Sequence, residues 1–545
     1  MALPGLIRPK RSSLILSLRS SYAALLSTLS AAAKDQIVPL IDVERDPAFG
    51  TVRPVEAAPL PLPVAIDGDD EDATDDEDSA ANPKWKKLTG AECGIYHGNI
   101  PQSAWSVLQR LKDRGYGVYL VGGCVRDSLL KQAPKDYDII TTANLDEVKK
   151  SFSRSMIVGR HFPVCHVTCF GHTIEVSSFH TVSSVGRRKP RNIMKDFFSK
   201  EDLFRCENTM SRDFTINGFM YDPFERTLFD YVGGLPDLEK KKVRTIIPPD
   251  ESFAEDPARL LRGVRIAARL GFRFSRDTSQ AVKAFKSSLM AVNQARLMQE
   301  LNTMMAYGAA AASIRLLWKY DYLDVMLPVQ ASYFARCKLK RSSKPRKNLL
   351  TDLLTILDKF STPDKPCHTT LWVALLAFHL ALDEKRSHLG ATAALLAIRH
   401  QNMNYALKDL ARFEEKLRQG EMTINEAYME RSIGVDDNNT IVAEALHIIE
   451  DAVSGLQKMH GNPENEPSTY GTLISRTMYA KVLKLFHGAR DRVRVESLYA
   501  KRATSDHMRK RGFVEGVDAE VVHALSCICL NTLYLPAKGN VFLFN

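Results

Sequence analysis

The stretch YLVGGCVRDSLLKQAPKDYDII, residues 119–140, decides the fold of this chain. An apolar strand runs into the pair Gly122 and Gly123, a short helix follows, and a second strand carries Asp136 and Asp138. Because the side chains of a strand alternate between its two faces, these aspartates project from one face and can hold a divalent ion. Paired glycines let backbone N–H groups approach a phosphate, and the positive end of the helix adds attraction. The stretch therefore predicts a phosphate cradle beside a metal-binding pair.

The net charge of the chain indicates a polyanionic partner. Over 545 residues the formal charge is +10, although residues 67–78 carry nine acidic groups, and the chain without that run stands at +19. Such a charge is typical of proteins that bind nucleic acid, with solvated Lys and Arg faces as the alternative. No window approaches the roughly 20 apolar residues of a membrane span, so we expect no transmembrane segment.

The nine cysteines fit neither a zinc site nor a compact disulfide framework. Cys165, His166 and Cys169 lie in a segment that alternates as a strand does, which makes His166 point away from both thiols. We therefore predict a core strand there, in a protein that does not rely on disulfides.

Composition divides the amino-terminal part into two segments. Residues 1–34 contain Arg, Ser and Leu but no acidic residue, which is typical of an organellar transit peptide; a disordered basic tail is the alternative. Residues 35–93 are rich in Pro, Ala and Asp, and their self-repelling charge predicts a disordered acidic linker. Folded structure is expected from about Gly94.

A third carboxylate is expected beside the two aspartates. Residues 163–170 and 173–179 are predicted to form a hairpin, with Glu175 on its second strand. The neighbours of Glu175 are apolar, so its side chain lies on the opposite face, which Asp136 and Asp138 can share. We interpret Glu175 as a metal ligand or base; an exposed sheet glutamate is the alternative.

Three basic segments are candidates for contacts with RNA: residues 181–205, 336–347 and 490–511. A basic loop near a phosphate site can close over substrate, whereas solvated surface is the alternative. The candidate RNA contacts within them are Arg188, Lys189, Arg341, Lys344 and Arg346.

Residues 252–270 have the strongest helical pattern in the chain. Asp256 and Arg259 are three positions apart and are expected to be neighbours on one face. Arg262 and Arg265 continue this spacing but drift around the helix by about 60° at each step. The three arginines therefore cannot all contact the same atom, and a surface salt-bridge ladder is the alternative to ligand binding.

Helices are also expected elsewhere. The segment SRDFTIN, residues 211–217, is predicted to open a helix, and the chain beyond Gly271 is predicted to be helical almost throughout. Among the predicted helices are residues 277–307, 391–419 and 424–432. No period recurs among them, which argues against a solenoid.

Five motifs in order make the chain resemble the class II nucleotidyltransferases, which unite CCA-adding tRNA nucleotidyltransferases and bacterial-type poly(A) polymerases. The motifs are Gly122-Gly123, Arg126-Asp127, Asp136-x-Asp138, Arg212-Asp213-Phe-Thr-Ile-Asn217 and Glu255-Asp256-x-x-Arg259. The resemblance implies an α+β protein with a mixed, five-stranded, polymerase beta-like sheet. It implies a catalytic head at 94–245, a helical neck with a nucleotide-binding helix at 246–330, and an RNA-binding helical body and tail at 331–545.

The resemblance also implies a chemistry. Asp136 and Asp138 match the ligands of two Mg²⁺ ions, one activating an RNA 3′-hydroxyl and the other neutralising the leaving pyrophosphate. The candidate catalytic residues are Asp136, Asp138, Glu175 and Asp213. The candidate nucleotide-binding residues are Gly122, Gly123, Arg126, Arg212, Asn217, Asp256, Arg259, Arg262 and Arg265. Of these, Gly123 and Arg126 match triphosphate-holding positions, Arg212, Asp213 and Asn217 match a triphosphate and ribose motif, and the last four match the helix that receives the base and phosphates.

Within the family, residues 157–167, IVGRHFPVCHV, resemble the longer segment of the poly(A) polymerases. We therefore expect a polynucleotide adenylyltransferase that takes ATP and RNA 3′ ends as substrates in a mitochondrion or plastid. A CCA-adding enzyme is the first alternative. A catalytically weak RNA-binding protein is the second, because Ser211 replaces one of the family's paired arginines. The sequence does not predict an oligomeric state.

Overall fold

One mixed sheet of eight short strands organises the first part of the described chain. The computed structural model describes residues 85–95, 97–159, 163–181, 198–341, 348–384, 386–425, 428, 437–461, 473–499 and 517–536. The strands are β1 Lys86–Thr89, β2 Val118–Val121, β3 Asp138–Thr141, β4 Ser155–Val158, β5 Val164–Cys169, β6 His172–Ser178, β7 Met220–Asp222 and β8 Thr227–Asp230. Their order across the sheet is β1-β8-β7-β2-β3-β6-β5-β4. All neighbours are antiparallel except β3 and β6, which are parallel.

Helices cover the two faces of this sheet. The helices of the head are α1 Gly90–Cys93, α2 Gln102–Lys112, α3 Gly123–Leu129, α4 Leu145–Ser151, α5 Lys200–Met210 and α6 Gly234–Glu239. One face packs its buried Leu120 and Ile139 in a core with Val107 of α2 and Val148 of α4. The other face buries Tyr119 and Ile140 in a second cluster that includes Cys206 of α5. The sheet is therefore the middle layer of the head.

A helical neck follows the sheet. Its helices are α7 Pro249–Glu255, α8 Ala258–Leu270, α9 Arg276–Ala284, α10 Gln294–Ala306, α11 Ala310–Lys319, α12 Leu323–Met326 and α13 Pro328–Arg336. Two short parallel strands, β9 Lys242–Val243 and β10 Arg273–Phe274, join the end of the head to the end of α8. The long apolar stripe of α8 faces the common core, which positions its arginines at one side.

The remaining described helices pack around one central helix. They are α14 Leu349–Phe360, α15 Thr369–Asp383, α16 His388–His400, α17 Met403–Arg418, α18 Asn438–His460, α19 Arg476–Tyr499 and α20 Val517–Leu533, with the strand pair β11 Met422–Ile424 and β12 Tyr534–Pro536. Nearly every side chain of α15 is buried, because the helix is apolar on all sides. No helix in the described part of the chain is both long and apolar enough to cross a membrane.

The head begins earlier and is wider than the sequence predicts. Regular structure starts at Lys86 instead of Gly94, because β1 pairs with β8 along its whole length. Thr89 then caps α1, with its side chain accepting from the Glu92 N–H. The described sheet has eight strands instead of the five that the family resemblance implies.

Three predicted helices are interrupted. The helix expected at 252–270 breaks at Asp256, whose extended backbone precedes Pro257. Residues 277–307 divide into α9, a 3₁₀ segment and α10, and residues 391–419 divide at Gln401, which has a φ of 52°. The segment 211–217 does not open a helix: it follows α5 and ends in a 3₁₀ turn, Thr215–Asn217.

Several expectations lie outside the described residues. They include the transit peptide at 1–34, the linker up to residue 84, and most of the helix expected at 424–432. The candidate RNA contacts Arg188, Lys189, Lys344 and Arg346 are outside them as well. The alternation predicted for the strand at 163–170 is confirmed, because Cys165 and Val167 are buried while His166 is partly exposed. All nine cysteines are free thiols.

Close packing of α8 against the head gives a stability prediction. A Cβ added at Gly263 would lie 2.9 Å from Cζ of Phe214 and 3.1 Å from Cε1 of Phe274. Gly263→Ala should therefore lower the free energy of unfolding by about 1–3 kcal/mol, although alanine is the better helix former by about 1 kcal/mol. Urea denaturation measures the change.

Gly488 in α19 is the matched control, because a Cβ added there meets nothing within 4 Å. Gly488→Ala should raise the free energy of unfolding by up to about 1 kcal/mol. A stabilising effect of both substitutions would show that α8 is not tightly packed on Phe214.

Candidate active site

The turn between β2 and α3 brings a cation and a carboxylate close together. Gly122 has a φ of 72°, and a Cβ on it would lie 3.3 Å from a terminal nitrogen of Arg212 and 3.8 Å from Oδ2 of Asp138. Glycine permits both the left-handed backbone and this close approach. The predicted glycine turn and the helix after it are confirmed, with α3 beginning at Gly123.

The sheet register places two of the three predicted carboxylates side by side. Asp138 is the first residue of β3, and Glu175 is its direct partner on the parallel strand β6. The prediction that Glu175 shares a face with Asp138 is therefore confirmed. Asp136 differs from expectation, because it precedes the strand in an exposed bend and does not belong to β3.

These carboxylates repel one another. Burial, then the charge of Glu175 and, more weakly, that of Asp136 raise the pKa of Asp138 from its usual 3.8 to about 6, and the nearby Arg212 and Arg262 offset only part of this. The raised pKa means that the arginines of the site do not fully offset the burial of Asp138 and the repulsion from its neighbouring carboxylates. A bound cation would offset both.

The donor set fits a magnesium ion that is shared with substrate. In the described residues, no three His, Cys, Asp or Glu side chains converge into a complete protein cage for a metal. Mg²⁺ does not need such a cage, since it is usually held by one or two carboxylates together with phosphate oxygens and water. Asp138 and the exposed Asp136, two residues earlier, would supply these carboxylates.

Arg212 supplies the positive side of the site. Its guanidinium is desolvated by burial, which lowers its pKa, while Asp213 and Asp138 favour the charged form. Within the described chain, the buried Nε of Arg212 has no hydrogen-bond acceptor. A phosphate oxygen would provide the missing acceptor.

A chain of hydrogen bonds and ion pairs connects Arg126 to Arg262 beside the site. Arg126 is only 8% exposed. It donates to Oδ1 of Asp127 at 2.6 Å and to Oδ1 of Asn217 at 2.7 Å. Asn217 in turn donates to Asp213, whose other oxygen lies 2.6 Å from Nε of Arg262. Although burial raises the pKa of Asp213, Arg262 and Asn217 outweigh it and hold that pKa below its usual value. Arg126 is thus connected to the site through Asn217, and its predicted role in holding the triphosphate stays a prediction.

The helix break beside the site gives the side chains of Asp256 and Arg259, two residues expected on one helix face, different partners. Asp256 accepts two hydrogen bonds from Arg296 of α10, each 3.0 Å long, and one from the N–H of Ala258. Arg259 instead donates to Ser252 and, at 3.2 Å, to the carbonyl oxygen of Ser211. Asp256 and Arg259 are thus neighbours through their backbones, since the N–H of Arg259 donates to the carbonyl oxygen of Asp256 at 3.0 Å, but their side chains take different partners. Arg259 also connects α8 to the residue before Arg212.

The other predicted arginines have separate partners. Arg265 pairs with Glu300 at 2.6 Å, so the four charged positions of this helix region do not form one ladder. Arg341 contacts Asp321 and Asp324 and lies 3.8 Å from the ring centre of Trp318, while its candidate contact with RNA stays a prediction. Sequence reasoning missed Arg296, because no local spacing relates it to Asp256.

The carboxylate repulsion predicts an effect on stability that does not depend on activity. In metal-free protein, Asp138→Asn should raise the free energy of unfolding above pH 6 by about 1–3 kcal/mol, because a raised pKa means that the ionised group destabilises the fold. The native state holds the proton more tightly, so wild-type stability falls as pH rises from about 4 to about 6. The gain should accordingly disappear below pH 4.

Urea denaturation in the presence of a chelator measures this gain, with Glu239→Gln at an exposed position of α6 as the control. Magnesium should then raise the melting temperature of the wild type more than that of Asp138→Asn. A pH-independent difference between the two proteins would contradict the assigned repulsion.

Two segments of the chain match known protein families. Residues 118–244 match the family described as "Poly A polymerase head domain". Residues 271–334 match the one described as "Probable RNA and SrmB- binding site of polymerase A". The first segment runs from β2 to the beginning of the neck and contains the turn, both paired carboxylates and Arg212.

The curated relatives include both poly(A) polymerases and CCA-adding enzymes. Poly(A) polymerase I of Escherichia coli O6:H1 is 32% identical over 287 residues, which cover 52% of this chain and 61% of that protein. The CCA-adding enzyme of Bacillus subtilis strain 168 is 35% identical over 215 residues, covering 39% and 52%. The matched part thus spans less than two thirds of each relative.

A solved structure of the Bacillus stearothermophilus CCA-adding enzyme in complex with CTP is also similar. It is 22% identical, covers 71% of this chain and 82% of that chain, and superposes with a TM-score of 0.39. The head and RNA-binding segments of this chain thus match those of poly(A) polymerases, and its curated relatives are bacterial poly(A) polymerases and CCA-adding enzymes. These matches support the class II nucleotidyltransferase family, which unites the two groups.

Proposed function

We propose that this protein is a magnesium-dependent, template-independent polymerase that adds AMP from ATP to RNA 3′ ends. The observation that carries the proposal is the presence of a carboxylate pair and a buried guanidinium on the two sides of the turn at Gly122. Asp138 and Glu175 form a site that needs a cation, and the buried Arg212 on the other side of the turn needs an anionic acceptor. A nucleoside triphosphate bound with magnesium satisfies both.

Each group of residues then has a part in phosphoryl transfer. The N–H groups at Gly122 and Gly123 and the guanidinium of Arg212 bind the triphosphate on the α3 side of the site. Magnesium held by Asp136 and Asp138 supplies charge neutralisation and lowers the pKa of the attacking hydroxyl. Glu175, one strand further from α3, orients the RNA 3′-hydroxyl and accepts its proton. Asp213, Asn217 and Arg126 fix Arg262 beside the phosphates.

Recognition of the base falls to the α7–α8 junction. Asp256 is an acceptor and Arg259 a donor, and together they complement a base edge that carries both functions. Arg259 reaches the carbonyl of Ser211 in this structure, so the junction is in contact with the residue next to Arg212. This contact supports a nucleotide site that is continuous from the base to the phosphates.

Two observations support ATP as the single substrate. Residues 157–167 resemble the poly(A) polymerase segment, and the similarity to poly(A) polymerase I extends over 263 to 287 residues in the enterobacterial relatives. The second candidate is CCA addition to tRNA. The 35% identity to the Bacillus subtilis CCA-adding enzyme favours it to a similar degree.

A catalytically weak RNA-binding protein is the third candidate, since Ser211 stands where the family has an arginine. In this structure the side chain of Ser211 donates to the carbonyl of Asn208 and its own carbonyl accepts from Arg259. Arg212 still reaches Gly122 and Asp138. The remaining cation is thus well placed for catalysis, which supports an active enzyme.

We also propose that residues 1–34 direct the protein to a mitochondrion or plastid, on the basis of their acid-free, Arg- and Ser-containing composition. A fusion of residues 1–34 to a fluorescent protein should be imported. A version with its arginines and lysines replaced by glutamate should stay outside, and equal import of both versions would contradict the proposal.

The full chain with magnesium and labelled nucleotides distinguishes the three candidates. We expect long A tracts on an oligo(A) primer with ATP, and little incorporation of CTP on tRNA that ends before CCA. Incorporation of two CMP and one AMP on that tRNA would instead establish the protein as a CCA-adding enzyme. Binding of RNA without incorporation of either nucleotide would establish it as a catalytically weak RNA-binding protein.

The variant Asp138→Asn separates catalysis from RNA binding. We expect its incorporation rate to fall at least a thousandfold, about 4 kcal/mol in barrier height, because a metal-binding carboxylate is lost. Retention of labelled oligo(A) on a filter should change less than twofold, since the basic surface is unaltered. Wild-type incorporation by the variant would show that Asp138 is not a metal ligand.

A further inference from the structure

One row of side chains leads from the active site to the edge of the sheet. Asp138 of β3 pairs directly with Glu175 of β6, and Glu175 pairs with His166 of β5. His166 in turn pairs with Met156 of β4. Directly paired residues project from the same face, so these four side chains form one line across four strands. With strands about 4.8 Å apart, the line extends roughly 14 Å from Asp138 to Met156.

This line lies on an open part of its face. Elsewhere on the same face, Tyr119, Ile140 and Phe229 are buried in the cluster that includes Cys206 of α5. Along the line, by contrast, the side chains of His166 and Glu175 are 39% and 50% exposed. Met156 is 61% exposed, one of the few large apolar side chains on the described surface. The open strip therefore begins at the carboxylates and ends in an exposed methionine.

The direction of the reaction assigns this strip to the RNA. The glycine turn and Arg212 lie on the β2 side of Asp138, since Val121 of β2 pairs directly with Asp138. In phosphoryl transfer the attacking and leaving oxygens are roughly in line on opposite sides of the phosphorus. If the pyrophosphate leaves toward β2 and α3, the attacking 3′-hydroxyl approaches from the β6 side. The nucleotides before it then pass over β5 and β4.

The side chains of the strip suit nucleotides of any sequence. An imidazole ring and a polarisable thioether offer surfaces on which every base can stack. His166 lies beside Glu175, with 3.9 Å between its Nε2 and the Glu175 Oε2, which places the ring next to the carboxylate that receives the 3′-hydroxyl. A single exposed methionine is common on protein surfaces, but this one is in register with the carboxylate pair.

We propose that His166 and Met156 form the track on which the last few nucleotides of the acceptor RNA stack, with His166 nearest the 3′ end and Met156 two to four nucleotides before it. The proposal rests on the proposed function, because it takes the 3′-hydroxyl to be the nucleophile at Glu175. It assigns these two residues to positioning of the primer and leaves selection of the incoming nucleotide to the α7–α8 junction.

Substitution of Met156 tests the track, since Met156 contacts neither carboxylate by register. Met156→Ala should raise KM for an eight-nucleotide oligo(A) about tenfold, the equivalent of one lost base stack, while KM for ATP changes less than twofold. A dinucleotide primer is too short to reach Met156 and should be extended equally by the variant and the wild type. Met290→Ala is the matched control, because Met290 is also exposed, at 42%, but lies in the neck.

His166 is tested with two variants. His166→Ala should raise KM for both primers, and His166→Phe, which keeps a flat ring, should restore it. An unchanged KM for oligo(A) in Met156→Ala, or an equal change in Met290→Ala, would overturn the track.

A binding measurement separates this proposal from the proposed function. Fluorescence anisotropy of labelled oligo(A) should show about tenfold weaker binding by Met156→Ala even if the wild type extends no primer. In that case the nucleotidyl transfer fails and the RNA track stands. Normal primer extension together with unchanged binding and KM in Met156→Ala would reject the track and leave the proposed function intact.

Discussion

The active site depends on a charge imbalance that the backbone imposes. Asp138 and Glu175 are opposite each other on the parallel pair β3 and β6, so their repulsion is fixed by the register of two strands. Arg212 and Arg262 offset only part of this repulsion and of the cost of burying Asp138. In the part of the chain that the structure describes, the Nε of Arg212 also has no hydrogen-bond acceptor. A metal–triphosphate complex, as proposed above, would satisfy both groups at once and would link metal binding to substrate binding.

Local sequence patterns predicted the parts of this site that local geometry controls. Alternation along a strand placed Glu175 on the face of Asp138, and Gly122 marked the turn where Arg212 approaches. Alternation failed for Asp136, because β3 starts only at Asp138 and the residue two positions earlier does not follow the strand. The break at Asp256 had a signal in the following Pro257, which disfavours a helical backbone before it.

Tertiary contacts explain what the sequence could not show. The two hydrogen bonds from Arg296 to Asp256, and the contact of Arg259 with the Ser211 carbonyl, join residues from separate elements. The outer strand β1 exists because β8, far along the chain, offers it a partner. Gly263 lies in the middle of α8, and the absence of a side chain there admits Phe214 and Phe274. In each case the decisive neighbour is distant in the chain.

The register of the strands also fixes the distances between the side chains in the row from Asp138 to Met156. A strand that slips by one residue turns its side chains to the other face, and a slip of two moves them by about 6.6 Å. The spacing between the carboxylates and the outer end of the row therefore cannot be adjusted gradually by backbone movement. Differences among the RNA molecules that this surface accepts have to be absorbed by side-chain rotation or by the nucleic acid itself. Such a surface would contact nucleotides at a fixed distance from the RNA 3′ end, whatever their base.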